Sequence, residues 1–178
     1  MKESPEMLNT RAIEFASRGE YPEAIACFKR ALTMEHQNYL LWYNLGVTYR
    51  DAGKLLQAKD AVLTAFKMEP DDEEVLESLA HICFMLNEQD EALTFCAAGL
   101  ALNRKNAHLW NNSGVIYFTR AEYDSACEAF EQAVTVDPTY YDALYNLRDT
   151  YKELGNKAGA EECTRRLKDL PCKGDFYA

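Results

Sequence analysis

Apolar positions recur along this chain in a long fixed cycle, with a helical rhythm inside each turn of it. Between Leu40 and Pro70 they stand at Trp42, Leu45, Gly46 and Tyr49, then at Ala58, Val62 and Ala65, and the run stops at Pro70. Spacings of three and four residues put the first group on one side of a helix and the second group on one side of another. The cycle repeats every 34 residues, as in the step from Ala58 to Ala92 to Ala126. One step back it gives Leu8, Ala12, Phe15, Ala24, Phe28 and Ala31. Forward steps give Leu76, Leu79, Ala80, Cys83, Ala92, Cys96 and Gly99, then Trp110, Gly114, Tyr117, Ala126, Phe130, Ala133 and Pro138. A last step gives Leu144, Leu147, Tyr151, Ala160, Thr164 and Leu167. The Ala58 column is alanine in every cycle, and no insertion breaks the register.

Each cycle predicts a pair of helices joined by a short turn. The pairs are residues 5–18 and 21–34, 39–52 and 55–68, 73–86 and 89–102, 107–120 and 123–136, and 141–154 and 157–170. Gly19, Gly53 and Gly155 fall at the turn, where glycine takes the positive φ of a helix end; Asn87 is a tolerable substitute and Ala121 the exception. Ser4 and Pro5 open the first helix, and Pro70 ends another before Asp71 and Asp72, which can cap the next. Asp137-Pro138-Thr139 is expected to repeat that chemistry. Small residues at Gly46 and Ala58 let paired helices approach. Cys83, Cys96 and Gly99 make the third cycle the least well filled, so it is expected to open more readily than the second and fourth.

The order Trp, Leu-Gly, Tyr, Ala, large apolar, Ala, Pro is similar to the signature of the tetratricopeptide repeat, and the chain resembles that family over nearly its whole length. The resemblance implies an all-α fold, a right-handed superhelical solenoid of antiparallel helix pairs. It implies one domain over residues 1–178, with repeats at 5–38, 39–72, 73–106, 107–140 and 141–174. A single pair cannot bury its apolar face, so neighbours must stack. Arg11, Arg148, Thr164, Arg165, Arg166 and Lys168 depart from the pattern as wettable end repeats should. Many members of the family add a further solvating helix; here the fifth repeat is expected to serve as its own cap.

The resemblance also implies a site. In such arrays the second stripe of each first helix lines the concave surface, where extended peptides bind. In the second repeat this stripe is Leu40, Tyr43, Asn44, Val47, Arg50 and Asp51. The Asn44 column reads Thr10, Asn44, Ser78, Asn112 and Asn146, and resembles an asparagine ladder. An asparagine amide offers both a donor and an acceptor, so it can pair with a peptide backbone whatever its side chains. The expected peptide-binding residues are Asn44, Asn112, Asn146, Tyr43, Arg50, Glu77, His81, Phe84 and Phe118. The chaperone-tail subclass needs cations on this stripe, and Glu74 and Asp142 stand where lysine would be required.

Charge narrows the partners. With 19 basic against 29 acidic residues the formal net charge is -10, which argues against nucleic acid and anionic membrane surfaces. No apolar run of about 18 residues predicts a membrane span, and Pro5, Glu6 and Arg11 interrupt any signal-peptide core; a cytoplasmic location is expected. On the stripe, Glu6, Asp51, Glu74, Glu77, Asp142, Asp149 and Glu153 stand against Arg50 and Lys152. This predicts basic or neutral peptides, with one hydrophobic anchor near Phe84, Met85 and Phe118. The alternative is a self-associating scaffold or adaptor, a homo-oligomer formed through the last pair and the tail residues Asp175, Phe176, Tyr177 and Ala178.

No chemistry-bearing constellation competes with this reading. The cysteines Cys27, Cys83, Cys96, Cys127, Cys163 and Cys172 form no Cys-x-x-Cys pair and read as small interior hydrophobes. Cys83 and Cys96 occupy facing columns of one hairpin, close enough to oxidise in a crystal, although a reduced compartment argues against a functional bridge. His36, His81 and His108 lie on separate repeats, outside any nucleophile or zinc motif. Acidic runs such as Asp71-Asp72-Glu73-Glu74 read as solvated helix starts. A non-enzymatic interaction module with no cofactor and no metal is expected.

Overall fold

The computed structural model describes residues 3–170. Cys172 and the tail from Asp175 to Ala178 lie outside the described residues. Ten helices follow in tandem among them: α1 (Pro5–Ser17), α2 (Tyr21–Met34), α3 (Tyr39–Asp51), α4 (Leu55–Met68), α5 (Glu73–Met85), α6 (Gln89–Leu102), α7 (Ala107–Thr119), α8 (Tyr123–Val136), α9 (Tyr141–Glu153) and α10 (Lys157–Asp169).

The same local chemistry ends every first helix. In the second repeat Gly53 N–H donates to Arg50 O at 2.9 Å and Lys54 N–H to Tyr49 O at 2.8 Å. These paired bonds close a Schellman turn, which needs a left-handed residue between them. Gly19, Gly53 and Gly155 supply φ between 72° and 76°, and Asn87 and Ala121 take φ 63° and 58°. Because Arg18, Ala52, Leu86, Arg120 and Leu154 are drawn into this turn, each first helix ends one residue before the spacing predicts.

First-helix starts are capped by short polar side chains. Ser4, Asn38, Asp72 and Asn106 each accept a backbone N–H from the first turn, each such cap contributing about 0.5–2 kcal/mol. The fifth repeat departs from expectation. Asp137 accepts from Thr139 N–H and Oγ1 at 2.9 and 2.7 Å and so braces the loop. The residue at the cap of α9 is Tyr140, which makes no side-chain cap.

The helices form two compact units, one reaching Leu102 and one beginning at Asn103. In the first unit α1–α2, α3–α4 and α5–α6 are hairpins, and α2 packs on α3 as α4 does on α5. Its core includes Phe28, Leu45, Val62, Val75, Leu79 and Ile82. In the second unit α7–α8 and α9–α10 are the hairpins and α8 joins α9, around Phe130, Leu144, Leu147 and Cys163. Alanines 24, 58, 92, 126 and 160 are buried.

Close helix approach needs glycine where the partner side chain is stiff. A Cβ on Gly46 would overlap the Val62 Cγ2 and press on the Ala58 carbonyl at 3.2 Å; one on Gly114 would meet the Phe130 ring at 2.6 Å. In the third repeat the same columns hold Ala80 and Cys96, both buried. Volume lost at Cys83 and Cys96 is offset outside the hairpin, where Phe66 and Phe95 stack edge to face with centroids 5.8 Å apart. A salt lock ties this repeat to the second: Lys59 Nζ on α4 donates to Glu88 at 2.6 Å and to Glu91 at 2.5 Å. Cys83, Glu88 and Glu91 lie close enough to resemble a metal ligand set, but the Lys59 ammonium already bonds both carboxylates. Burial pushes the Cys83 thiol up to about 12, so it stays protonated. Cys27, Cys83, Cys96, Cys127 and Cys163 are all unbridged.

Candidate interaction surface

First helices touch their counterparts along each unit, α1 on α3 and α3 on α5, and separately α7 on α9. Polar side chains cross these contacts in one repeated pattern. Asn44 Nδ2 donates to Asn9 Oδ1 at 3.2 Å, Tyr43 OH meets Ser78 Oγ at 3.1 Å, and Asn146 Nδ2 donates to Asn111 Oδ1 at 3.0 Å. In every case the Asn44 column of one repeat reaches the Tyr43 column of the repeat before it. Asn44 and Asn146 are therefore structural as well as surface residues, and removing Asn146 carries a cost that the column pattern does not predict. Their carbonyl oxygens have no partner among the described residues. Asn112, half-buried on α7, has its whole amide unpaired there.

In the first unit the fold brings Tyr43, Asn44, Arg50, Glu77 and His81 onto neighbouring stretches of α3 and α5. Arg50 Nε and Nη2 both lie 2.9 Å from Asp51 Oδ1. Desolvation of the His81 ring lowers its pKa and the Arg50 charge adds to this, while Glu77 and Asp51 pull the other way; the imidazole is neutral at neutral pH. Phe84 is half-buried further along α5.

In the second unit Asn112, Phe118 and Asn146 share the corresponding face. Phe118 leans edge-on against Tyr123, centroids 5.3 Å apart. With Val115, Phe130, Asn146 and Asp149 it lines a hollow of about 110 Å³, room for the end of one apolar side chain. The charge of this face differs from the count made along the stripe. Arg148, expected only as a capping substitution, pairs with Asp149 at 2.9 Å and lies 4.1 Å over the Tyr145 ring; Lys152 pairs with the same carboxylate at 2.8 Å. Burial would raise the Asp149 pKa, but the bonds to Arg148 and Lys152 outweigh it and hold the group below its usual value. Asp51 and Asp149 are thus neutralised, and less of the predicted acidic excess is available to a ligand.

A larger hollow lies on the other side of α3, lined by second-helix residues that the stripe pattern leaves out. It occupies about 430 Å³ between α2 and α4, over Trp42, Leu45 and Tyr49, three residues that the 34-residue cycle assigns to the core. The sequence signal for the opening is Ala61, a small residue in the column that holds Phe95 one repeat later.

Among the described residues no helix is long and apolar enough to cross a membrane. Profiles described as "TPR repeat" and "Tetratricopeptide repeat" match residues 14–53, 43–107 and 107–140. Human "Tetratricopeptide repeat protein 13" is 31% identical over 125 residues, covering 67% of this chain and 14% of its own. Bovine "BBSome complex member BBS4" is 24% identical over 92% of this chain and 32% of its own. The chain thus spans a third or less of the length of these relatives. A solved structure of MamA protein superposes with a TM-score of 0.83 at 22% identity, covering 95% of this chain and 92% of that one. Repeats of this kind are generally non-catalytic, although two further relatives carry transferase names. The end-to-end register, the tandem hairpins and the matching profiles agree: this chain is an all-α repeat scaffold for protein–protein interaction and belongs to the tetratricopeptide-repeat family.

Proposed function

We propose that the first-helix face of each unit is a non-enzymatic docking surface for an extended segment of a partner protein. The observation that carries this is the division of labour among the asparagines. Asn44 and Asn146 each commit one amide N–H to the neighbouring repeat and keep the carbonyl oxygen for a ligand, while Asn112 keeps its whole amide. Amides fixed in this way can bond a peptide backbone with little further loss of side-chain freedom. Phe118 and its hollow take one apolar side chain of the segment. Glu6 and Glu74, both exposed on the first unit's stripe, favour basic or neutral peptides over acidic ones, an attraction that salt screens.

The test separates ligand contacts from fold contacts. A synthetic peptide selected from a random library at low salt is titrated against the chain and three variants. Asn112→Ala is expected to weaken the peptide by about 0.5–1.5 kcal/mol while leaving the melting temperature unchanged. Asn44→Ala and Asn146→Ala should each lower stability by about 1 kcal/mol through loss of the Asn9 and Asn111 bonds. Selection of acidic peptides, or binding indifferent to Asn112→Ala, overturns the reading.

A further inference from the structure

The 430 Å³ hollow between α2 and α4 is independent of the first-helix face and lies on a different side of α3. Its apolar wall comes from Leu32, Trp42, Leu45, Tyr49 and Ala61. Trp42 is held in place: its indole N–H donates to His36 O at 2.8 Å, and the His36 ring packs edge-on against it. The next seam shows why the space is open. Counting one repeat forward, Leu32 becomes Phe66 and Ala61 becomes Phe95, and those two rings stack with centroids 5.8 Å apart. Between α4 and α6 the chain places its own phenyl ring in this position. Between α2 and α4 it offers a methyl group, and the aromatic wall is left for something else to cover.

The rim sets the chemistry of that occupant. Lys29 on α2 and Asp60 on α4 both line the hollow. Among the described residues neither side chain makes an ion pair; Lys29 Nζ only hovers 5.9 Å over the Tyr49 ring. A volume of this size is within the range of ligand pockets and accepts one aromatic side chain with part of its flanks. We propose that the hollow is a second docking site, for a partner segment that inserts one aromatic side chain between α2 and α4, with a basic residue beside Asp60 and an acidic residue beside Lys29. The phenyl ring of Phe95 in the adjacent seam is the internal template for that insertion. This site goes beyond the first-helix reading and does not depend on it.

A displayed library of random dodecapeptides, panned in parallel on the full chain and on Ala61→Phe, tests the proposal. Ala61→Phe restores the plug found at the next seam. Peptides enriched only on the unsubstituted chain should share one Phe, Tyr or Trp, with a base on one side and an acid on the other. Calorimetric titration of the best synthetic peptide should show at least tenfold weaker binding to Ala61→Phe. Asp60→Lys, an exposed change that leaves the core untouched, should weaken it at least threefold, and a peptide with its basic residue changed to Glu should recover the loss. If both chains enrich the same peptides, or if Asp60→Lys leaves the affinity unchanged, the second site does not exist. Peptides enriched equally on both chains and weakened by Asn112→Ala likewise overturn the second site while supporting the first-helix reading.

Discussion

The second and third repeats share a backbone plan but distribute their bulk in opposite ways. In the second, glycine at position 46 lets Val62 fill the hairpin, and the outer seam beside Ala61 stays open. In the third, Ala80 faces the smaller Cys96, and the bulk moves outward to the Phe66–Phe95 stack. A repeat protein therefore sets its total volume across neighbouring hairpins rather than within each one. The underfilled third hairpin read from Cys83, Cys96 and Gly99 is braced from outside: Phe66, which stacks on its Phe95, and Lys59, which bonds its Glu88 and Glu91, both come from the second repeat.

The largest expected effect breaks the second repeat's packing alone. Gly46→Ala should cost about 1–3 kcal/mol in urea melts, since the branched Val62 cannot turn aside. Adding Val62→Cys installs the third repeat's pair and should recover most of that loss. A double variant no more stable than the single one would show that the two columns do not trade volume.

A smaller effect tests the lock between the repeats. Lys59→Met should lower the melting temperature by about 2–4 °C and speed amide exchange in α5 and α6 more than in α3. The bonds to Glu88 and Glu91 raise the Lys59 pKa from 10.5, so its contribution is complete below that pH and fades above it. The bond to Lys59 lowers the Glu91 pKa from 4.5, so that contribution is present above pH 4.5 and disappears on further acidification. The difference between the two proteins should therefore be greatest between these limits. A difference independent of pH from about 3 to 6 argues for packing of the lysine stem instead.

The smallest effects lie at the turns. Asn87 already tolerates its left-handed backbone, so Asn87→Gly should change stability by less than about 0.5 kcal/mol. Ala121, at φ 58°, carries the strain of a Cβ in that region, and Ala121→Gly should raise stability by about 0.5–1 kcal/mol. Equal responses at the two turns would mean that the residue type there does not matter.

Local features are legible in the sequence wherever one or two turns of helix decide them. The alanine column, the positive-φ residues and the starts of all ten helices follow from spacing, because a helix face and a Schellman turn involve neighbours in sequence. The site is legible only in part. The stripe points to Asn44, Asn112 and Asn146, but in sequence all three look alike. Their separation into two bonded amides and one unpaired amide depends on which residue sits one repeat earlier: Asn9 and Asn111 in two cases. Arg148 has the character of a capping residue until its position over Tyr145 and beside Asp149 places it on the same face. The Asp137 loop resembles another cap until Thr139 occupies its carboxylate.

By itself the sequence determined the number and order of the repeats, their helix–turn–helix form and the residues that must be small. Those properties rest on backbone sterics and on periodicity along a single helix. Tertiary structure alone decided which polar groups pair across repeats and where the outer seam is left open. Each of these depends on side chains about one repeat apart meeting at a few ångströms, so the volume or charge of one is defined only when its neighbour is in place.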